Sequence, residues 1–595
     1  MDIPVPLVGR RRDHMATDLQ RIPGVTVKGR RGFGPRHRDS WTFGAAPPRA
    51  SGSRFRGRRR RSQIGRRRRI PAVTAVLALG YVAAAAYGVN SVRSLTRVDV
   101  AVEGLTDNVV LTSTALAAQP ILFTPSKNGA RSTLELDGVA VPDKAVRLRD
   151  KSVQWQPGRL PEGRHKVVLS VPRPGMGDAR FHRRFEIDDT PPAIGVPPLG
   201  APTGICDAVT VKGRVEPSST LTLDGAPLAH SNGSFTLSYD RPPAAPLLLK
   251  STDPAGNSTS MEVIAPVRYP GGQGVHVTAA AWGYEPLRKG ILALIDARLI
   301  SAVQLDLKDE GGIVGFDSRN ALANQIGAVL PEYKLKETVA ELKGRGVRVI
   351  GRVVAFRDAP LAKWAWENGR RDWVVQTPGG KMLDTYGGFS NPAHPEVHRY
   401  NLDIALEAAD AGVDDIMWDY VRRPEGDPAT MVIPGVPGQV DSSSTAIVNF
   451  LSTSRAALRQ RCTYQGAAVF GIAADRPDAV GQDIPRISRH VEYIAPMLYP
   501  SHWVNGEYRV ANPNKQPYDI IKVVLADFQA KTAGTGVALV PWLQDFTYGH
   551  PYGPAEVRAQ IDGAASVGVS DWLLWNAGVT YTTGGLDPSR VALRK

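Results

Sequence analysis

Strand-like apolar runs alternate with amphipathic helical stretches from about Gly271 to the C-terminus, and this pattern restricts the possible folds more than any other feature. The alternation predicts βα units and a parallel sheet, and eight units over about 300 residues is the size of one (β/α)₈ barrel. Two stacked α/β domains are the alternative. The eight strands are predicted at 275–282, 302–308, 347–356, 414–420, 467–473, 493–499, 537–544 and 570–576.

Two smaller units precede the barrel, at 98–190 and 191–270. Both contain short alternating apolar runs separated by turn residues, which is typical of all-β sandwiches. The segments LELDGVAV (134–141) and LTLDGAPL (221–228) each place Asp-Gly between two runs and predict hairpins. These units resemble bacterial immunoglobulin-like modules of cell-surface proteins, which implies a spacer or a glycan-binding role. The barrel, 271–595, is expected to fold without them.

The positive charge of the chain is confined to its first 69 residues. This segment holds 20 Lys+Arg and 4 Asp+Glu, while the remaining 53 basic and 53 acidic residues balance, so the folded part needs no nucleic acid or other polyanion. Residues 70–89 carry no charge and are long enough for a transmembrane helix. Since basic residues stay cytoplasmic, we expect 1–69 to be a disordered cytoplasmic tail and the bulk of the chain to be outside the cell membrane.

Two alternatives to this topology remain. The apolar segment is Ala-rich, as in a cleaved signal peptide, although a tail of 69 residues is long for one. The Arg clusters are also suited to anionic lipid or nucleic acid. Cys206 and Cys462, the two cysteines, lie in different predicted domains, and whether they pair is left open. Two cysteines are too few for a disulfide scaffold or a cysteine-based zinc site, and we expect no metal or organic cofactor.

Charged residues recur at alternate positions of three predicted barrel strands. Since alternate side chains of a barrel strand face inward, we expect Asp306 and Lys308 inside on the second strand and Asp419 on the fourth; the third strand adds Arg348 and Arg352. Buried charges are costly unless they are paired or serve a site. Asp306 and Asp419 lie at the C-terminal ends of their strands, where barrel enzymes keep their active sites. The alternative is an ion-pair network that only braces the barrel.

Aromatic residues fall near the same strand ends. Flat rings beside carboxylates suit a sugar, and Gln544, Asp545 and Asn576 are candidate partners for its hydroxyls. The aromatic residues are Trp282, Tyr420, Tyr499, Trp503, Trp542 and Trp575.

Eight phrases of the chain carry a family resemblance, namely VQLDLKDEGG (303–312), RVVAFRD (352–358), DDIMWDYVRRP (414–424), GQDI (481–484), YIAPMLYPSHW (493–503), NPNKQPYDIIK (512–522), PWLQDF (541–546) and WLLWNAG (572–578). Through these phrases the stretch 274–583 resembles a bacterial family of glycosyl-hydrolase-like (β/α)₈ barrels of unknown function. Asp419 matches the strand-four Asp of the family, and its strand-two Asp-x-Lys-Asp matches Asp306, Lys308 and Asp309. The chain departs from the family at Ala468, where an Asp is usual, and at Arg423, where Phe is usual.

The resemblance implies a hydrolase of cell-envelope or extracellular polysaccharide that uses paired carboxylates. Asp419 is expected to be the nucleophile or to stabilise the transition state, and Asp306, Asp309 and Asp545, in that order, are candidates for the general acid. A non-catalytic glycan-binding or scaffold barrel is the alternative, which Ala468 favours. The residues expected to bind substrate are Lys308, Arg352, Tyr420, Arg422, Tyr499, His502, Trp542, Gln544, Trp575 and Asn576.

Overall fold

The computed structural model describes residues 97–149, 151–173, 175–200, 202–437 and 441–591. The basic segment 1–69 and the apolar segment 70–89 lie outside these residues, so the tail and the transmembrane helix stay predictions. In the described part of the chain, no helix combines the length and the apolar character needed to cross a membrane.

The first β domain consists of two sheets with strand orders β1-β3-β7-β6 and β2-β9-β8-β4-β5. Val153 and Trp155 of one sheet share a core with Val167 and Leu169 of the other, as in a sandwich. A helix, α1 (Ser113–Ala118), follows β2. The strands are β1 (Val100–Glu103), β2 (Val109–Leu111), β3 (Ile121–Pro125), β4 (Thr133–Leu136), β5 (Val139–Ala140), β6 (Val146–Arg149), β7 (Ser152–Trp155), β8 (Gly163–Arg173) and β9 (Met176–Ile187).

The second β domain has sheets ordered β10-β11-β14 and β13-β12-β15-β16 around a core that includes Val211 and Leu249. The two predicted Asp-Gly hairpins are confirmed. Asp137 and Asp224 have φ values of 52° and 50°, and each is followed by a glycine with positive φ, as a tight hairpin requires. The strands are β10 (Ile194–Gly195), β11 (Val209–Val215), β12 (Thr220–Leu223), β13 (Ala226–Pro227), β14 (Ser234–Tyr239), β15 (Leu247–Thr252) and β16 (Ser258–Val263).

The C-terminal half forms the predicted closed barrel of eight parallel strand positions within the described residues. The order runs β17-β27-β26-β24-β23-β22-β21-β18, and β17 pairs with β18 to close it. β25 and β26 together form the seventh position, while β19 and β20 extend the sheet beside β18. The strands are β17 (Gln273–Val277), β18 (Ala302–Lys308), β19 (Val314–Phe316), β20 (Val329–Tyr333), β21 (Arg348–Val354), β22 (Asp415–Asp419), β23 (Tyr464–Phe470), β24 (Tyr493–Met497), β25 (Ala538–Leu539), β26 (Trp542–Gln544) and β27 (Trp572–Trp575).

Helices cover the outside of the barrel. Apolar residues such as Val303, Leu305, Ile416 and Trp418 fill the space between strands and helices, as the alternation predicts. The helices are α2 (Ala279–Gly283), α3 (Glu285–Asp296), α4 (Ala321–Gln325), α5 (Leu335–Gly344), α6 (Ala359–Glu367), α7 (Pro395–Asp410), α8 (Asp441–Arg459), α9 (Ile484–Ile487), α10 (Pro517–Lys531) and α11 (Pro554–Ala565).

The second β domain is joined to the barrel by a disulfide and by hydrogen bonds from two buried arginines of the barrel. Cys206 and Cys462 pair, with their Cα atoms 5.3 Å apart. Arg455 and Arg459 of α8 both bond the Glu492 carboxylate, and Arg455 Nη1 also donates to the Ala244 carbonyl of the β domain at 2.9 Å. Removing the β domain therefore exposes charges that are buried in the intact chain.

Tyr269, which the predicted boundary at 270 leaves outside the barrel, packs inside the barrel's N-terminal end. Its ring stacks on Tyr493 at 4.4 Å, and its hydroxyl donates to Asp415 Oδ2 at 2.8 Å. The segment before β17 therefore completes the barrel core.

We expect residues 271–595 to unfold at a temperature several degrees below that of residues 98–595. The shorter chain lacks Tyr269, and its Arg455 and Arg459 lose their carbonyl partners in the β domain. Thermal melts under reducing conditions remove the contribution of the disulfide, and residues 265–595 serve as a control that restores Tyr269. Equal melting temperatures for all three chains would contradict the predicted dependence.

Candidate active site

The barrel interior is apolar at its middle and charged at both ends. Ile350 and Met417 form part of the apolar middle layer. At the N-terminal end, Arg348 forms a buried ion pair with Asp415, whose Oδ2 accepts from Nε at 2.8 Å. This basal pair contains one cation and one carboxylate, so it leaves little net charge. The inward orientation predicted for Arg348 is confirmed.

A second arginine, Arg352, holds three carboxylates together at the C-terminal rim. Arg352 Nη1 donates to Asp306 Oδ1 at 3.0 Å. Arg352 Nε and Nη2 donate to Asp419 Oδ2 at 2.9 and 2.7 Å, and Nη2 also pairs with Glu310. These four residues are called the rim cluster below. The predicted convergence of Asp306, Asp419 and Arg352 is therefore confirmed as geometry.

Further polar groups fix Asp306 in place. His276 Nε2 lies 3.0 Å from Asp306 Oδ2, and Gln304 Nε2 donates to Oδ1 at 3.1 Å. The Asp306 backbone carbonyl accepts the Tyr333 hydroxyl at 2.9 Å. His276 lies on β17 between the outward-facing Val275 and Val277, so strand alternation could have identified it. Asp306 is only 1% exposed, which favours a supporting role over direct substrate contact.

The rim cluster carries three carboxylates and one guanidinium and therefore has excess negative charge. Burial would raise the pKa of Asp306, but the interactions with His276 and Arg352 outweigh this effect, and the pKa lies well below its usual value. Partial burial of Glu310 is likewise outweighed by Arg352, and its pKa is lowered. The side chain of Glu310 is 34% exposed, compared with 5% for Asp419, so Glu310 is the most accessible acid of the cluster.

Sequence reasoning missed Glu310. It follows β18 in a loop, where alternation no longer specifies which way a side chain points. Its position inside the phrase DLKDEGG was the available signal.

Asp309 lies beside the rim cluster, and its pKa is shifted in the opposite direction to those of Asp306 and Glu310. Burial and the nearby charges of Glu310 and Asp306 raise the pKa of Asp309 to about 6. Its Oδ1 accepts the backbone N–H groups of Gly311 and Ile313 at 2.8 and 2.9 Å, which shapes the loop after β18. Asp309 is therefore the predicted candidate whose pKa fits proton donation near neutral pH.

The predicted inward orientation of Lys308 is wrong. The pairing of β18 with β21 shifts register between Asp306 and Lys308, and this irregularity reverses the alternation. Lys308 Nζ instead donates to Asp358 Oδ2 at 2.5 Å and to Asn401 Oδ1 of α7 at 2.7 Å. The Lys308 side chain has no exposed surface, so in this structure it braces the strand against the helix layer.

Three polar residues predicted for substrate hydroxyls are used within the loops. Both carboxylate oxygens of Asp545 accept from Thr582, at 2.7 Å from its backbone N–H and 2.7 Å from its hydroxyl. Gln544 is fully buried, and its side chain bonds Ser501 N and Phe546 O. Asn576 donates to the Asp545 carbonyl and accepts from Gly578 N. These bonds leave the three side chains as loop supports rather than open ligand groups.

Aromatic rings of four predicted residues gather at the rim. Tyr499 lies 5.9 Å from Trp575 and 5.2 Å from His502, measured between ring centroids. Trp575 stacks on His276 at 6.1 Å, and Trp542 meets the same imidazole edge-on. Trp575 is half-buried and His502 is exposed, so these two rings offer surface to a ligand, whereas Trp542 is 2% exposed.

Trp282 does not lie at the rim. The first strand ends at Val277, because Thr278 caps α2 by accepting from Ala281 N. Trp282 Nε1 then donates to Thr338 Oγ1 of α5 at 3.0 Å, inside the helix layer. Trp503 packs in the same outer core.

Tyr420 and Arg422 follow Asp419 on the loop after β22. Tyr420 has a φ of 50°, and its backbone N–H donates to Asp419 Oδ1 at 2.6 Å. The Arg422 guanidinium lies 4.5 Å from the Tyr420 ring and 4.4 Å from the Phe470 ring. Arg422 is 1% exposed, so it supports Tyr420 more than it presents its own charge.

The two departures from the family pattern have clear structural settings. Ala468 faces the barrel interior in the apolar cluster with Met417. Asp475, the next acid along the chain after Ala468, does not supply the missing carboxylate, because it is exposed and pairs with Arg476 at 3.3 Å. Arg423 is buried and donates to four backbone carbonyls, which belong to Pro424, Gly426, Asp478 and Ala479. It joins two rim loops.

Several solved structures are similar to parts of this chain, and no curated protein matches it. A hypothetical protein from Ruminiclostridium thermocellum is 25% identical over 32% of this chain and 96% of its own, with a TM-score of 0.28. The PgaB (BpsB) glycoside hydrolase domain from Bordetella bronchiseptica is 18% identical over 52% and 95%, with a TM-score of 0.39. The glycoside hydrolase domain of PelA from Pseudomonas aeruginosa is 11% identical over 52% and 96%, with a TM-score of 0.31.

One family model covers the barrel. It is described as "Putative glycosyl hydrolase domain" and matches residues 274–581. The match begins in β17 and ends at Tyr581, whose hydroxyl donates to the His276 carbonyl, so it includes the whole rim cluster. Because it spans more than half of the 595 residues, the chain belongs to this glycosyl hydrolase domain family.

Proposed function

We propose that the barrel hydrolyses glycosidic bonds in a cell-envelope or extracellular polysaccharide. The supporting observation is the rim cluster, in which Asp419, Asp306 and Glu310 share one guanidinium at the C-terminal end of the barrel. The rings of Trp575 and His502 offer surface at the same end, where they can contact sugars. Glycoside hydrolysis needs a carboxylate to stabilise positive charge at the sugar carbon and an acid to protonate the leaving oxygen.

Asp419 is proposed as the nucleophile or as the carboxylate that stabilises the oxocarbenium-like transition state. It is the last residue of β22, at the C-terminal rim, and Arg352 and the Tyr420 N–H fix both of its oxygens. Such fixed geometry favours a charge that acts on the reacting carbon without reorganisation.

Asp309 is proposed as the general acid, which changes the predicted order of candidates. Asp306 has a lowered pKa and three hydrogen-bond partners, so it is poorly suited to donate a proton. Asp545 is occupied by Thr582. Asp309, with a pKa of about 6, remains partly protonated near neutral pH.

A non-catalytic glycan-binding barrel is the second candidate. Ala468 favours it, because the fifth strand has an apolar side chain at the position where the resemblance leads us to expect an Asp. The two functions share the aromatic rim and differ in whether Asp419 affects turnover.

Asp419→Asn should lower the rate of hydrolysis by about a thousandfold, equivalent to about 4 kcal/mol of transition-state stabilisation. The free energy of unfolding should fall by less than the about 3–5 kcal/mol expected for a buried charge left unpaired, because Arg352 keeps Asp306 and Glu310 as partners. Release of reducing ends from envelope and exopolysaccharide fractions measures the rate, and urea titration measures stability.

Asp415→Asn provides the matched control. It removes the carboxylate of the basal pair on the same strand and leaves Arg348 buried with an unbalanced charge, so it should cost about 3–5 kcal/mol of stability. If Asp419→Asn destabilises the protein as much as Asp415→Asn does, or if it remains fully active, the catalytic role of Asp419 is wrong.

The activity should decrease about tenfold per pH unit above about pH 6, because the Asp309 carboxyl must be protonated to act as the acid. Asp309→Asn should abolish this descending limb together with most of the activity. Asp545→Asn is the control, and it should retain the limb because Asp545 only holds Thr582. A limb that persists unchanged in Asp309→Asn would assign the acid to another residue.

We further propose that the enzyme is exported and held at the membrane by the segment 70–89. Its basic flank supports this orientation, and the Cys206–Cys462 disulfide supports an oxidising compartment.

Alkaline phosphatase fused after Lys595 should be active, whereas the same reporter fused at Ser62 should be inactive, because the phosphatase requires export for its activity. The ratio of phosphatase activity to the amount of fusion protein checks the topology. A reporter that is active only in the cytoplasm, fused at the same two positions, is the control. Inverted activities would refute the proposed orientation.

A further inference from the structure

A cationic and aromatic patch lies beside the rim cluster, on the loops that follow β21 and β22. It consists of Arg357, Tyr386, Tyr420, Arg422 and Glu425 and is called the Arg357 patch below. Arg357 follows β21, the strand that carries Arg352, and Tyr420 directly follows Asp419. Tyr420 connects the two groups, because its N–H donates to Asp419 Oδ1 at 2.6 Å and its hydroxyl accepts from Arg357 Nη1 at 2.8 Å.

The Arg357 guanidinium is held by rings rather than by a carboxylate. It lies 4.2 Å from the Tyr386 ring centroid and 5.2 Å from that of Tyr420, and its Nη1 donates to the Tyr420 hydroxyl at 2.8 Å. Its buried Nε has no hydrogen-bond partner. In the described part of the chain, no carboxylate oxygen lies within ion-pair distance of Arg357. Its positive charge is therefore available to a ligand.

The nearby acid does not neutralise Arg357. Glu425 Oε1 accepts from Arg422 Nη2 at 3.2 Å, and Oε2 accepts the Tyr386 hydroxyl at 3.1 Å. Glu425 thus balances Arg422 and orients Tyr386, while Arg357 remains uncompensated. The patch is positive next to a rim cluster that is negative.

The side-chain contacts of both tyrosines maintain a left-handed backbone at these positions. Tyr386 and Tyr420 have φ values of 56° and 50°, a region that costs a non-glycine residue about 1 kcal/mol or more. Tyr386 is 37% exposed although the Arg357 guanidinium lies against its ring.

We propose that the Arg357 patch is a sugar subsite that binds an acidic substituent, such as a carboxylate or a sulfate, on the sugar next to the one that reacts. A guanidinium binds these planar or multi-oxygen anions through paired N–H groups, and the exposed Tyr386 ring supports an apolar sugar face. The excess negative charge of the rim cluster repels an anion from the reacting sugar itself. The inference rests on the proposed function, and it narrows the substrate class to acidic glycans.

Binding to the full-length Asp419→Asn protein tests the subsite without turnover. The probes are oligogalacturonate and oligomannuronate, each compared with its own methyl ester, and a sulfated galactan oligosaccharide compared with its desulfated form. Calorimetry should give an affinity at least about tenfold higher for the charged member of one or more pairs. Arg357→Gln should remove that difference, and Arg357→Lys, which keeps the charge but not the paired donors, should retain part of it.

Arg371→Gln is the matched control, because Arg371 also lies over an aromatic ring, that of Trp366 at 5.1 Å, but is exposed. It should keep the full preference. Equal affinity for charged and neutral members of all three pairs overturns the subsite, as does an unchanged preference in Arg357→Gln. The comparison within each pair on the parent protein decides the matter even if Arg357→Gln fails to fold.

The two proposals fail in different ways. A preference for acidic probes in a protein that hydrolyses no fraction would retain the subsite and refute the hydrolase. Hydrolysis of a neutral glycan with no preference within any probe pair would retain the hydrolase and refute the subsite.

Discussion

The buried guanidinium of Arg352 is the interaction on which the organisation of the barrel rim depends. It lies inside the barrel, where an isolated charge would be strongly destabilising, and it bonds carboxylates from β18, from the loop after β18 and from β22. Three ionised carboxylates at this separation would repel one another strongly without a cation between them. Arg352 therefore permits a concentration of negative charge that the fold would otherwise exclude, and it fixes the orientation of Asp419.

The same two strands contain a second arginine–aspartate pair, the basal pair, which differs from the rim cluster in its number of acids per cation. Arg348 and Arg352 are four residues apart on β21, as are Asp415 and Asp419 on β22, so both pairs face inward with an apolar layer between them. The basal pair is balanced one to one and closed by Tyr269. The rim pair has gained two further acids, and the resulting excess charge is what a cationic transition state can use.

Much of this arrangement was predictable from alternation along the strands, and the failures have identifiable physical causes. Asp306 and Asp419 were placed correctly, because regular parallel strands leave each side chain one of two directions. Lys308 was misplaced by a register shift that the residue pattern does not reveal. Glu310 and Asp545 depend on loop geometry, in which hydrogen bonds within the loop decide whether a carboxylate is open or occupied.

Tyr420 physically connects the reacting centre to the loops around it. Its left-handed backbone lets its N–H reach Asp419 Oδ1 while its ring turns toward Arg357 and Arg422. The strain is offset by these contacts, so the orientation of Asp419 and the position of the Arg357 patch are coupled through one residue. A ligand that engages Arg357 would stabilise the same conformation of Tyr420 that holds Asp419. Binding energy from a neighbouring sugar can thus contribute to the alignment of the carboxylate, which is how remote contacts raise turnover as well as affinity.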